Sequence, residues 1–171
     1  MKTANKVPLA VRRGFAIPEE AETKLLSNPK EGPLKFSLSS TMESVSEVEA
    51  AADKLADEAG LDEEERFRVT MAVREAAVNA VLHGNDYDPA KLITASFENT
   101  GKSLIFTIAD QGKGVDPDSL PDPLAPDNLL RGTGRGIFLI RSFMDEVHFR
   151  KLQPGTELTL IKHLVPAEEK T

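Results

Sequence analysis

The chain has 171 residues and is 40% hydrophobic, enough for one core and too little for two comfortable domains. Its 21 Lys and Arg stand against 28 Asp and Glu, a formal net charge of -7, so no global positive field exists to hold a phosphate backbone or an anionic membrane. The absence of cysteine excludes disulfides, thiolate nucleophiles and Cys-based zinc sites together. No apolar run approaches the roughly 18 residues of a membrane span, and the first residues lack the apolar stretch of a signal peptide. The expectation is a soluble, cytoplasmic protein with no direct contact to nucleic acid or membrane.

Residues 1–33 mix charges with Pro8, Pro18 and Pro29 and close on Gly32-Pro33 without a sustained period, which predicts a flexible N-terminal extension. The alternation in Leu34-Lys35-Phe36-Ser37-Leu38-Ser39-Ser40 predicts a half-buried strand. A helix follows: Thr41, Ser44 and Ser46 offer capping hydroxyls, and Val45, Val48, Ala52, Leu55 and Ala59 recur every three or four residues until Gly60. Asp62 then caps a second helix, with Glu63, Glu64 and Glu65 at the positive end of its dipole. This helix is predicted to run to about His83 and to end in Gly84-Asn85.

Strands are predicted for Leu92 to Glu98 and Ser103 to Ala109, joined by a hairpin at Asn99-Thr100-Gly101-Lys102, so the sheet is at least partly antiparallel. From Gly112 to Gly132 the prolines and aspartates suit a long surface loop. A third helix begins near Gly134, and Glu146 to Lys151 and Glu157 to His163 close the domain around Gln153-Pro154-Gly155. The whole predicts an α+β two-layer sandwich, a mixed sheet with helices on one face, spanning 34–165 and followed by a tail at 166–171.

Polar residues break this pattern in three places. Glu75, Asn79 and His83 recur every four residues along an otherwise apolar helix, which stacks them on one face. A carboxylate and an amide there need partners, so the stripe borders a polar cleft or closes a structural network of its own. Asp110 continues the buried face of Leu104, Phe106 and Ile108, and Gln111-Gly112-Lys113-Gly114 lets the backbone turn sharply behind it. The same aspartate could simply open a turn. Gly132-Thr133-Gly134-Arg135-Gly136 starts a helix, where free N–H groups, the dipole and Arg131 or Arg135 can hold an anion. Leu139 occupies the third-glycine position of a dinucleotide fingerprint, and Walker-type and protein-kinase triplets are missing, so those readings drop out.

The order Glu-x-x-x-Asn, Asp-x-Gly-x-Gly, long loop, Gly-x-Gly resembles the N, G1 and G2 boxes of GHKL ATPases over Leu34 to Leu164. Gly136 to Val147 and Gly155-Thr156-Glu157-Leu158 look like the anti-sigma-factor serine kinases in particular. This resemblance implies a Bergerat-type fold that binds ATP and Mg2+. Asn79 would hold the metal, Glu75 would act as general base, and His83 would line the nucleotide site. Asp110 would accept from the adenine amino group, with Thr156 in support. Gly112 and Gly114 would pass the nucleotide, and Gly132, Thr133, Gly134 and Gly136 would surround its phosphates below a lid. Lys113, Arg131 and Arg135 are candidates for phosphate neutralisation by charge and position. The implied partners are a STAS-domain anti-anti-sigma factor as phosphoacceptor and a sigma factor, with homodimerisation through an uncovered sheet face. The alternative is a nucleotide-responsive module that sequesters a regulator without phosphorylating it.

Overall fold

Both predicted helix starts are capped as their side chains allow: Thr41 Oγ1 accepts from Ser44 N at 3.2 Å, and Asp62 Oδ1 from Glu65 N at 2.8 Å. The computed structural model describes residues 32–114 and 132–166. In chain order these form β1 (Leu34–Ser39), α1 (Met42–Glu58), α2 (Glu63–Asn79), a π-helical turn (Ala80–Gly84), β2 (Leu92–Asn99) and β3 (Ser103–Ala109). After residues 115–131 come α3 (Gly132–Phe143), β4 (Glu146–Leu152) and β5 (Gly155–His163). The predicted loop apex, most of the N-terminal extension and residues 167–171 lie outside the described residues, as does Arg131.

The strand order is β1-β2-β3-β5-β4, and every pair is antiparallel, which corrects the expected mixed sheet. The reason is connectivity. The α1–α2 pair returns the chain beside β1 in the opposite sense, and β5 is inserted between β3 and β4, the two strands joined through α3, so no parallel neighbours arise. Alternation turns Leu38, Ile93, Phe106, Ile108 and Leu160 toward the helices, where Val45, Val48, Val69, Val73 and Ile140 meet them. Phe97 packs edge-on against Phe36 and Phe106, at centroid distances of 5.4 and 5.0 Å. Each fully buried Leu, Ile or Phe contributes about 1.5–3 kcal/mol, and this seam between sheet and helices carries the stability. On the opposite face Lys35, Ser37, Thr94, Ser96 and Thr107 line a shallow concavity that no described helix covers.

Arg66 ties the start of α2 to α1, its guanidinium meeting both Asp53 oxygens at 2.6 Å and Asp57 at 2.7 Å. This fork holds the Asp53 carboxyl below its ordinary pKa, chiefly through the hydrogen bond. The clamp fixes α2, which carries the polar stripe.

The α-helix stops at Asn79, four residues short of the predicted end, and the chain continues as a single π turn. That turn adds a residue to the repeat and breaks the four-residue register after Asn79. Among the described residues no helix is long and apolar enough to cross a membrane.

Candidate functional site

Asp110 stands immediately after β3, 8% exposed, on the helix-facing side of the sheet. Its Oδ1 accepts from Gly112 N at 2.9 Å and from Thr156 N at 3.2 Å, while its own N–H donates to Thr156 O at 3.0 Å. Burial raises the carboxyl pKa above its ordinary value, offset in part by the two N–H donors and by the charge of Lys91. The fold therefore keeps a carboxylate at a desolvated spot and supports one oxygen with backbone donors.

Three glycines make that spot possible. A Cβ at Gly84 would lie 2.3 Å from Asp110 Oδ2, one at Gly112 would lie 1.9 Å from Gly84 O, and one at Gly155 would lie 1.9 Å from Asp110 O. Gly155 also has φ +113, which L side chains rarely adopt. Bare backbone from the π turn and from the start of β5 thus closes on both sides of the strand-end aspartate. Gly114, at φ +82, lies against Gly155 O and the Lys151 stem.

At the other end, Glu75 and Asn79 are half-buried on the last turns of α2. Helix α3 crosses them at Gly136: a Cβ there would stand 2.8 Å from Glu75 Oε2 and 3.5 Å from each terminal atom of the Asn79 amide. The carboxylate, the amide and the glycine-rich helix start are therefore in one place. Gly132, Thr133 and Gly134 lie inside α3 rather than in a loop before it. Lys113 and Arg135 are exposed, and so is His83, carried by the π turn out of the register of Glu75 and Asn79. Thr156 is buried beside Asp110 and meets it through its backbone.

Several residues the sequence reading passed over build this site. Gly84 and Asn85 read as a helix stop, Gly155 as a turn residue and Lys151 as the end of a strand, while Lys91 carries no sequence signal of its own. Only the His-Gly-Asn run after an apolar helix hinted at more, because a helix stop needs one such residue and not a second, buried one.

Carboxylate and amide oxygens are hard donors suited to Mg2+, which keeps waters and needs few protein ligands. That fits Asn79, with Glu75 beside it, while among the described residues no group of three His, Cys, Asp or Glu could hold a metal. Oxygen ligands in one place and a desolvated hydrogen-bond acceptor in another are the chemistry that a cation-bound polyphosphate and an amino-bearing ring would need.

Among the described residues, three α-helices on one face of a five-stranded antiparallel sheet define a two-layer α+β sandwich protein, with these polar groups at the α2–β3 end of the seam. A histidine kinase-like ATPase domain matches residues 38–162. An anti-sigma F factor of Anoxybacillus flavithermus is 34% identical over 140 residues, 79% of this chain and 93% of the relative. A serine-protein kinase RsbW of Staphylococcus aureus is 28% identical over 142 residues, 79% of this chain and 89% of that one. The crystal structure of the RsbU and RsbW domains of a Mycobacterium tuberculosis protein shares the fold, with TM-score 0.54 and 22% identity, over 79% of this chain and 33% of that longer one. This chain belongs to the histidine kinase-like ATPase family, in the branch of the anti-sigma F factors and RsbW kinases.

Proposed function

We propose that this chain is an ATP-dependent serine/threonine protein kinase of the anti-sigma type. The observation that carries the reading is the meeting of Glu75 and Asn79 with Gly136 at the start of α3. A base and an oxygen ligand beside a helix start are what transfer of a phosphoryl group requires.

Asp110 accepts from the exocyclic amino group of adenine, its backbone-supported oxygen keeping the carboxylate in place. The N–H groups opening α3 balance phosphate charge, joined by the side chains of Lys113, Arg131 and Arg135. Asn79 would hold Mg2+, which would supply charge neutralisation to the phosphates. Glu75 accepts the proton of the acceptor hydroxyl as its oxygen attacks the γ-phosphorus, and ADP leaves with the electrons of the broken P–O bond. His83, exposed on the π turn, serves at the rim of the nucleotide site at most.

The phosphoacceptor is a serine or threonine on a STAS-domain anti-anti-sigma factor, and the alternative ligand is a sigma factor, both met in the cytoplasm. A second copy of the chain is accommodated by the sheet face that no described helix covers. Calorimetry with ATP and Mg2+ tests the reading, followed by transfer of labelled γ-phosphate to a STAS-domain protein. Wild type binds, and Asn79→Ala loses about 1–3 kcal/mol of binding, as expected for removing a hydrogen-bonded or metal-bound group. Binding without transfer leaves the sequestering module, and no binding under any condition removes the kinase reading.

A further inference from the structure

Asn85 follows the π turn directly and is 0% exposed, an unusual place for an amide. Every polar group of its side chain is used. Nδ2 donates to Ser40 Oγ at 2.7 Å and to Leu92 O at 3.0 Å, and Oδ1 accepts from Gln111 N at 2.8 Å. Its backbone N–H donates to Ala80 O at 2.8 Å, closing the π turn. The side-chain partners sit on three separate stretches of chain: the β1–α1 junction, the start of β2, and the residue after Asp110.

The donor order around this amide is set from outside. Ser40 Oγ donates to Lys91 O at 2.8 Å, which leaves its lone pair for the Asn85 amide. Gln111 is held at two points, by its N–H on Asn85 and by its Oε1 accepting from Leu92 N at 2.8 Å. The peptide that joins Asp110 to Gln111 is thereby anchored one bond away from the carboxylate-bearing residue. Gly84 and Asn85 together meet Gly112 and Gln111, one pair by backbone contact and the other by a hydrogen bond.

We infer that Asn85 is a positioning residue for base recognition, acting on Asp110 through the backbone of Gln111. The inference rests on the nucleotide-site reading above. Adenine presents an amino donor to a carboxylate where guanine presents a carbonyl oxygen, acceptor against acceptor, so the preference for ATP over GTP depends on where the Asp110 carboxylate sits. A buried amide that only braced the fold would change stability and leave that preference alone.

The test measures ATP and GTP affinity by calorimetry with Mg2+ on the full chain, for wild type, Asn85→Ala, Asp110→Asn and the double variant, with melting curves as control. Asn85→Ala is expected to lower the ATP-to-GTP preference about tenfold, the effect of losing one well-placed hydrogen bond. In the Asp110→Asn background the same change has no further effect on the ratio, because the two residues act as one unit. If Asn85→Ala does not fold, Ser40→Ala takes its place; it removes one anchor of the amide and shifts the ratio in the same direction by less. A lowered melting temperature with an unchanged ratio overturns the inference. A wild type that binds ATP with no preference over GTP, or an Asp110→Asn variant that keeps the full preference, removes the site reading itself and the inference with it.

Discussion

At the Asp110 end of the site glycine backbones press on backbone atoms, with a Cβ at Gly155 or Gly112 reaching 1.9 Å from a carbonyl oxygen. At the Glu75 end the corresponding glycine, Gly136, meets only side-chain tips, at 2.8 and 3.5 Å. The first end is rigid, desolvated and internally hydrogen-bonded; the second is half-buried and closed by a helix that crosses above movable groups. On the proposed function, recognition is thus built into the folding unit, while the reacting groups are placed where side chains can adjust.

Four changes break or sharpen that contrast. Glu75→Gln acts on chemistry alone: transfer of γ-phosphate falls by about 10²–10⁴-fold, the span of general-base catalysis, while ATP affinity and melting temperature stay near wild type. A parallel loss of affinity would place Glu75 among the binding groups instead.

Gly155→Ala acts on folding. A side chain at φ +113 collides with a carbonyl that cannot retreat without moving β3, so denaturation should show a loss of about 3 kcal/mol or more. Near-normal stability would mean that the β3–β5 contact relaxes and that the rigid end is not rigid.

Asp110→Asn separates binding from stability at one residue. ATP affinity falls by about 1–3 kcal/mol, because an amide whose oxygen keeps the two backbone donors turns its NH2, itself a donor, toward the adenine amino group. The ligand-free protein should nevertheless melt higher at neutral pH. Burial raises the folded pKa of this carboxyl above its unfolded value, so the folded chain binds the proton more tightly and stability falls as pH rises through that window. Asparagine removes that loss. By the same sign, wild-type ATP affinity drops as pH falls through the raised folded pKa, at a higher pH than an exposed aspartate would give.

Gly136→Ala is the smallest and the most diagnostic. The new methyl group displaces the flexible end of Glu75, so turnover falls several-fold, about 1 kcal/mol of barrier, with the melting temperature little changed. Two Gly→Ala substitutions then give opposite signatures, one in stability and one in rate.

Much of this arrangement was legible before folding, because it depends on neighbours in sequence. Thr41 and Asp62 cap as their side chains dictate, the hairpin at 99–102 turns where Gly101 takes φ +82, and the apolar periods mark the faces that became buried. The spacing of Glu75 and Asn79 and the position of Asp110 at a strand end were likewise local facts. The roles of Gly84, Asn85 and Gly155 were not, since each comes from a contact with backbone tens of residues away, by bare backbone at the glycines and by the amide at Asn85. The π turn belongs with them. Local propensity separates α from π continuation poorly at Ala80-Val81-Leu82, and here the bonds of Asn85 to β2 and to Gln111 accompany the extra residue that leaves His83 outside. Period, caps and the charge balance were determined by sequence alone, because side chains a few residues apart decide them. Which backbones could touch, and hence where the carboxylate of Asp110 is held, was decided only when β3, β5 and the end of α2 packed together.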